Sequence, residues 1–301
     1  MSGFAADRAS GSGEVALAFL RELERWAATD TSTSAPALRD ALLARLRAAQ
    51  AAQPNLALIH QLAARALDVA DSGVVRGDTP AALRDALAGS CAAERADLAV
   101  AQAAVARTAA ALLDRRGGWI ATLSASGAVR EALVHAHQSG CEPRALVAEG
   151  RPGLEGRSLA ASLAAAGMPV WLVVDAALPL LLSQVTAVWL GADAVTEHGV
   201  LNKVGSYAAA LAAREHSVPV HALAMRRKFL PAATAALRIA EMPPAEVWAE
   251  PAPGVRPRNV YFEVVPMELL RGIVVEDGVL GSTEAATVAR ERPLPTELAG
   301  A

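Results

Sequence analysis

Cysteine is scarce in this 301-residue chain, with only Cys91 and Cys141 present. Neither has a CxxC partner, and two cysteines make no disulfide framework, so a reducing cytoplasm is the expected setting. The six histidines, among them His135, His137 and His198, show no metal-ligand spacing. Surface or capping roles are expected for them, with no metal and no cofactor. The chain has no GxGxxG fingerprint and no Walker loop, which removes the usual support for dinucleotide or NTPase readings. A net charge of −3 gives no argument for binding nucleic acid in bulk or an anionic membrane. Met1 to Ala18 lacks a basic stretch followed by a long apolar core, so no signal peptide is expected. Nor is any apolar run long enough to cross a bilayer.

What is present is apolar residues, 53 % of the chain, against 20 % charged. That balance suits a globular protein with a large core, and the length leaves room for two domains. The first part is rich in Ala, Leu and Arg. From Glu14 to Ala28, Val15, Phe19, Leu23 and Trp26 fall towards one side of a helix, with Ser10 to Ser12 as capping candidates. Ala37 to Gln53 and Asn55 to Ala70 read as two more helices, the latter stopped by Asp71-Ser72-Gly73. Thr79-Pro80 opens another, and Ala93 to Asp114 is a long Ala-rich helix. Residues 1–115 are therefore expected to form an antiparallel helical domain.

After Arg115-Arg116-Gly117-Gly118 the texture changes, and short apolar runs alternate with helical stretches. Strands are expected at Trp119 to Leu123, Arg144 to Ala148, Val170 to Val174, Val185 to Leu190 and Val218 to Ala224. Helices fall between them, and Ile273 to Glu276 is a further strand candidate. This alternation predicts an α/β domain over 116–301, a parallel sheet with helices on both faces.

In such sheets ligands bind at the carboxyl ends of strands, and four strand ends carry polar residues. The run Gly191-Ala192-Asp193 to Asn202-Lys203 follows an apolar strand and precedes the helical pattern from Tyr207. It brings an acid and an Asn-Lys pair to a helix N-terminus, a setting that favours anions. Asp193 is a candidate pocket acid or a turn residue. Ser124, Ser126 and Gly127 make a small-residue turn that lets backbone amides approach an anion, although the two serines also suit helix capping. Arg151, in Glu149-Gly150-Arg151-Pro152-Gly153, offers a planar donor fork for phosphate or a solvated loop charge. Asp175 is a pocket acid or a cap for the short helix that follows.

These same residues resemble a superfamily. It joins the alpha, beta and delta subunits of eukaryotic translation initiation factor 2B to the isomerases of methylthioribose-1-phosphate and ribose-1,5-bisphosphate. The segment Gly191-Ala192-Asp193 … Gly199-Val200-Leu201-Asn202-Lys203-Val204-Gly205-Ser206 is similar to its GAD…G…NK(I/V)GT run. Glu149 to Gly156 resembles its (E/T)xRPxxxG loop, Val173-Val174-Asp175 its (V/T)D segment, Lys228-Phe229 its KF pair, and Asn259-Val260-Tyr261-Phe262 its NxYF pattern. Asp7 to Gly11 is similar to its less specific helical part, while Val75-Arg76-Gly77-Asp78 matches the isomerases' RGA-type loop only in part.

The resemblance implies a helical N-terminal domain on a Rossmann-like domain, commonly dimerised through the latter. It implies that Asp193 stands where the isomerases keep an acid–base Asp, and that Ser124 stands where they keep a proton-relaying Cys. A hydroxyl relays protons poorly unless a base activates it. The expectation is thus an initiation factor 2B-like protein that binds a phosphorylated sugar or nucleotide in a regulatory role. Arg151, Asn202 and Lys203 would hold phosphate, Ser124, Ser126 and Gly127 would line the pocket, and Asp193 would touch a sugar hydroxyl. The alternatives are an aldose–ketose isomerase of a pentose 1-phosphate, with Asp193 and Ser124 catalytic, and an interaction subunit with an empty pocket.

Overall fold

A computed structural model of the chain describes residues 3–7, 10–232, 239 and 241–299. Arg8 and Ala9, part of the Asp7-to-Gly11 likeness, lie outside the described residues. Four helices come first: α1 Ser12–Thr29, α2 Ala35–Ala52, α3 Ala57–Arg76 and α4 Pro80–Ala110. Ser34 caps α2 by accepting the Ala37 N–H, and Thr79 caps α4 by accepting that of Ala82. The predicted stop at Asp71-Ser72-Gly73 does not occur. A side chain at Gly73 would meet Leu83, so this glycine serves close packing of α3 on α4, and the helix ends at Gly77 in a left-handed conformation. The two helices expected after Thr79 are one 31-residue rod, because nothing between them breaks the ladder.

The second half alternates as predicted: β1 Gly118–Leu123, α5 Gly127–Gln138, β2 Pro143–Ala148, α6 Glu155–Ala165, β3 Val170–Val173, α7 Leu178–Leu181 and β4 Ala187–Leu190. It continues with β5 Ala194–Thr196, β6 Gly199–Lys203, α8 Ser206–Glu215, β7 Val220–Leu223, β8 Phe262–Pro266, β9 Gly272–Val275, β10 Gly278–Leu280 and α9 Ser282–Arg290. The main sheet runs β10-β9-β7-β4-β1-β2-β3, parallel except for the last strand, β10, which is antiparallel to β9. The chain steps outward from β1 in one direction and from β4 in the other, so the strand order reverses between them.

Side chains of these strands alternate between two buried faces. Ile120, Val147, Trp189 and Val274 share one core with α1 to α5, while Leu123, Leu146, Leu190 and Ile273 pack with α8 and α9 on the other. The first core runs unbroken from the helical part onto the sheet.

A second sheet, antiparallel with order β5-β6-β8, was not expected. The run from Asp193 to Lys203 is a hairpin rather than a loop entering a helix. Glu197 and His198 form its two-residue turn between the paired Thr196 and Gly199, and the Thr196 hydroxyl accepts the His198 N–H. Three-residue apolar runs are too short to show a periodicity, and β6 is made a strand by pairing with β8, some sixty residues on.

Candidate functional site

The carboxyl ends of β1 and β4 meet where the strand order reverses, and ligands of open α/β sheets bind at such a point. A cavity of about 990 Å³ opens there, at the upper end of the range for small-molecule sites, roughly 300–1,000 Å³. Its floor is the strand ends and the β5–β6 hairpin. Its roof is the helical part: the first turn of α1, the α2–α3 connection and the middle of α4. The two strand ends touch, since a Cβ on Gly191 would lie 2.8 Å from Ser126 Oγ. Only glycine permits this approach. The roof is tied on locally, as the Ala57 N–H at the start of α3 donates to the Asp193 carbonyl (3.0 Å).

Of the residues singled out in the sequence, Ser124, Ser126, Gly127, Asp193, Asn202 and Lys203 all line this cavity. Arg151 does not line it and is exposed. Asp175 caps no helix with its side chain. It accepts the backbone N–H groups of Gly150 (2.8 Å) and Arg151 (2.7 Å), fixing the loop after β2. Ser126 caps α5, its hydroxyl accepting the Val129 N–H. Ser124 does not cap. It sits at φ +58°, a conformation that costs a non-glycine residue about 1–3 kcal/mol. Its N–H bonds Ala148 (3.1 Å) and its hydroxyl donates to Glu155 (3.3 Å).

Two buried lysines face two carboxyl groups at the floor. Lys228 donates to the Ala192 carbonyl (2.6 Å) and to Ser12 Oγ (2.9 Å). Burial raises the Asp193 pKa above its ordinary value, partly opposed by Lys228, Ser12 and Lys203. Burial likewise lowers the Lys228 pKa. Lys203 forms an ion pair with Glu155 (2.8 Å), with side chains 8 % and 9 % exposed, and lies over the Tyr261 ring. Asn202 donates to the Ser206 hydroxyl (2.9 Å).

The N-terminus of α8, expected to attract a ligand anion, already holds one from the protein. Glu263 on β8 accepts the N–H groups of Gly205 and Tyr207, each at 2.7 Å. By contrast α1, whose N-cap residue is Gly11, has no side-chain cap, and its first turn faces the cavity. Glu155, Lys228, Ser12 and Glu263 are functional candidates that spacing did not single out. Glu155 and Lys228 lay inside recognised motifs, but their proximity to Ser124 and Asp193 spans 31 and 35 residues and leaves no local trace. Among the described residues, no group of three His, Cys, Asp or Glu is placed to hold a metal ion, and no helix is long and apolar enough to cross a membrane.

Apart from Arg151, the residues singled out for the pocket thus converge on one crevice, with Asp193 just before β5 and the Asn-Lys pair at the end of β6. The model of the initiation factor 2 subunit family (IF-2B) matches residues 8–282. The chain belongs to that family. It is 34 % identical over 177 residues to the eIF-2B subunit 2-like protein of Pyrococcus furiosus, covering 58 % of this chain and 62 % of that one. It is 33 % identical over 175 residues to the ribose 1,5-bisphosphate isomerase of Archaeoglobus fulgidus, covering 56 % and 55 %. The chain therefore spans about half to three fifths of the length of the curated relatives it matches. Among solved structures, translation initiation factor eIF-2B of Pyrococcus horikoshii superposes with a TM-score of 0.79 at 25 % identity, covering 92 % of this chain and 94 % of that one. The family's members thus include both initiation-factor-like proteins and sugar-phosphate isomerases.

Proposed function

We propose that this IF-2B family protein binds a phosphorylated sugar or nucleotide in the crevice between β1 and β4, as a regulatory subunit rather than as an efficient enzyme. The observation that carries this reading is the residue at the end of β1. Ser124 lines the same cavity as Asp193, at the position where the isomerase resemblance implies a thiol. A thiol can be tuned towards neutrality, whereas an alkyl hydroxyl cannot, and losing a general acid or base costs about 10²–10⁴ in rate. Binding survives such a loss, because the pocket and its amides remain. The phosphate is assigned to the outer part of the cavity, where α5 starts at Ser126-Gly127 and the half-exposed Arg130 stands one turn on. Asp193 is assigned to a sugar hydroxyl. Arg151 has no part in this assignment.

The second reading, an aldose–ketose isomerase of a pentose 1-phosphate, is favoured by one contact. The Ser124 hydroxyl donates to the Glu155 carboxylate, a base that could assist it, and relatives of both isomerase types are near in sequence. The decisive measurement offers the protein ribose-1,5-bisphosphate and methylthioribose-1-phosphate and follows ketose formation by NMR. Calorimetric binding without turnover is the expected result. Turnover abolished by Asp193→Asn would sink the regulatory reading in favour of the isomerase. No melting-temperature rise with any sugar phosphate or with AMP would remove both.

A homodimer in the cytoplasm completes the proposal. One solved structure of similar fold is described as a tetrameric eIF2B-beta2-delta2 complex, and edge strand β3 leaves Trp171, Leu172 and neighbouring Val174 exposed. Sedimentation velocity is expected to show a species of twice the chain mass. A monomer at micromolar concentration would refute the dimer.

A further inference from the structure

We propose that Glu155 is a specificity-determining residue. It neutralises Lys203 from within, so the inner end of the cavity takes an uncharged, hydroxyl-bearing part of the ligand and rejects phosphate. This rests on the reading that a phosphorylated sugar or nucleotide enters the cavity.

Each cationic feature at the inner end is already matched by the protein's own oxygen atoms. The Lys203 ammonium is 2.8 Å from Glu155 Oε1. Lys228 is spent on the Ala192 carbonyl and on Ser12 Oγ. The α8 N-terminus holds Glu263. A phosphate brought to Lys203 would have to displace the Glu155 carboxylate or lie against it. Repulsion between like charges a few ångströms apart in a partly dry site is strong.

Both partners of the Lys203–Glu155 pair are about nine-tenths buried. Moving Glu155 aside would break this buried ion pair, which is costly. A hydroxyl meets the opposite situation. Glu155 Oε2 already accepts the Ser124 hydroxyl at 3.3 Å, a long contact that a sugar O–H can replace or share. Asp193 offers a second acceptor on the same wall. Two carboxyl groups with a serine between strand ends are suited to a diol, as carboxylates accept two O–H bonds in one plane. The ligand is therefore oriented with its polyol inward and its phosphate outward, towards Gly127.

The test compares the unmodified protein with Glu155→Gln, and with Glu155→Gln combined with Lys203→Met. The probes, measured by calorimetry, are inorganic phosphate and ribose 5-phosphate. Glu155→Gln keeps the shape but frees the ammonium, so affinity for inorganic phosphate is expected to rise at least about tenfold. That gain is expected to vanish in the double variant. Unchanged phosphate affinity in Glu155→Gln, or a gain that survives Lys203→Met, would overturn the proposal. Should the variants misfold, the unmodified protein still decides the matter. Its Lys203 ammonium NMR signal is expected to stay put as inorganic phosphate is added, and a saturable shift would overturn the proposal. Failure of the unmodified protein to bind ribose 5-phosphate would instead count against the ligand class, leaving the Glu155 comparison readable from phosphate alone.

Discussion

Asp193 and Lys228 illustrate what burial does to opposite charges that share one wall. Each is driven towards its neutral form by desolvation, and each is held charged by the other. For Asp193 the carboxyl pKa lies above the ordinary 3.8. A raised folded-state value means that the folded chain holds the proton more tightly than the unfolded one. The contribution to stability is fully present below about pH 3.8 and is lost as pH rises through the folded value. A carboxyl-carbon NMR titration of Asp193 is therefore expected to give a midpoint above 3.8, and a midpoint at or below 3.8 would contradict the burial argument. Ser124 makes a second prediction. Ser124→Cys returns a thiol to the end of β1 beside Asp193, and measurable ketose formation from a pentose 1-phosphate is expected where the unmodified protein shows little. Absence of turnover in a variant that still binds the sugar phosphate would show that more than the thiol is missing.

At the scale of elements, the site depends on two close approaches. The ends of β1 and β4 touch through Gly191 and Ser126, and a Cβ at position 191 would also fall 2.9 Å from Ser126 Cβ. Gly191→Ala is expected to cost about 1–3 kcal/mol of stability by overpacking and to weaken sugar-phosphate binding. Chemical denaturation would detect the first, and an unchanged midpoint would show that the strands yield freely. The other approach is Glu263 on β8 against α8. It accepts two backbone N–H groups at the positive end of that helix. Glu263→Ala is expected to cost about 0.5–2 kcal/mol, the usual range for a lost cap. It would also open the α8 N-terminus to inorganic phosphate, which thermal melts with and without phosphate would reveal.

Across the whole molecule, the helical part is roof as well as neighbour. It shares an apolar core with one face of the sheet, and it supplies Ser12 to Lys228 and the Ala57 N–H to the Asp193 carbonyl. Residues 116–301 alone would expose that face to water, so this piece is expected to lack a cooperative thermal transition. A sharp transition near that of the full chain would show two independent domains. Much of this architecture was legible in the residues themselves. Amphipathic helices such as α1, and alternation of apolar strands with helices after Gly118, follow from local periodicity, which burial imposes on neighbouring residues. Gly-Ala-Asp at the end of β4 and the small residues after β1 were enough to place the crevice. What local pattern could not carry was pairing over distance. The strand character of Asn202 and Lys203 comes from β8, the Lys203 charge is cancelled by a glutamate 48 residues earlier, and the α8 N-terminus is filled from 58 residues later. The sequence alone determined that Ser124, Ser126, Asp193, Asn202 and Lys203 reach the crevice, because each stands at or beside the end of an apolar strand. Only the tertiary structure decided which of them remain free for a ligand, because a charge is available or spent according to what lies within a few ångströms of it in space.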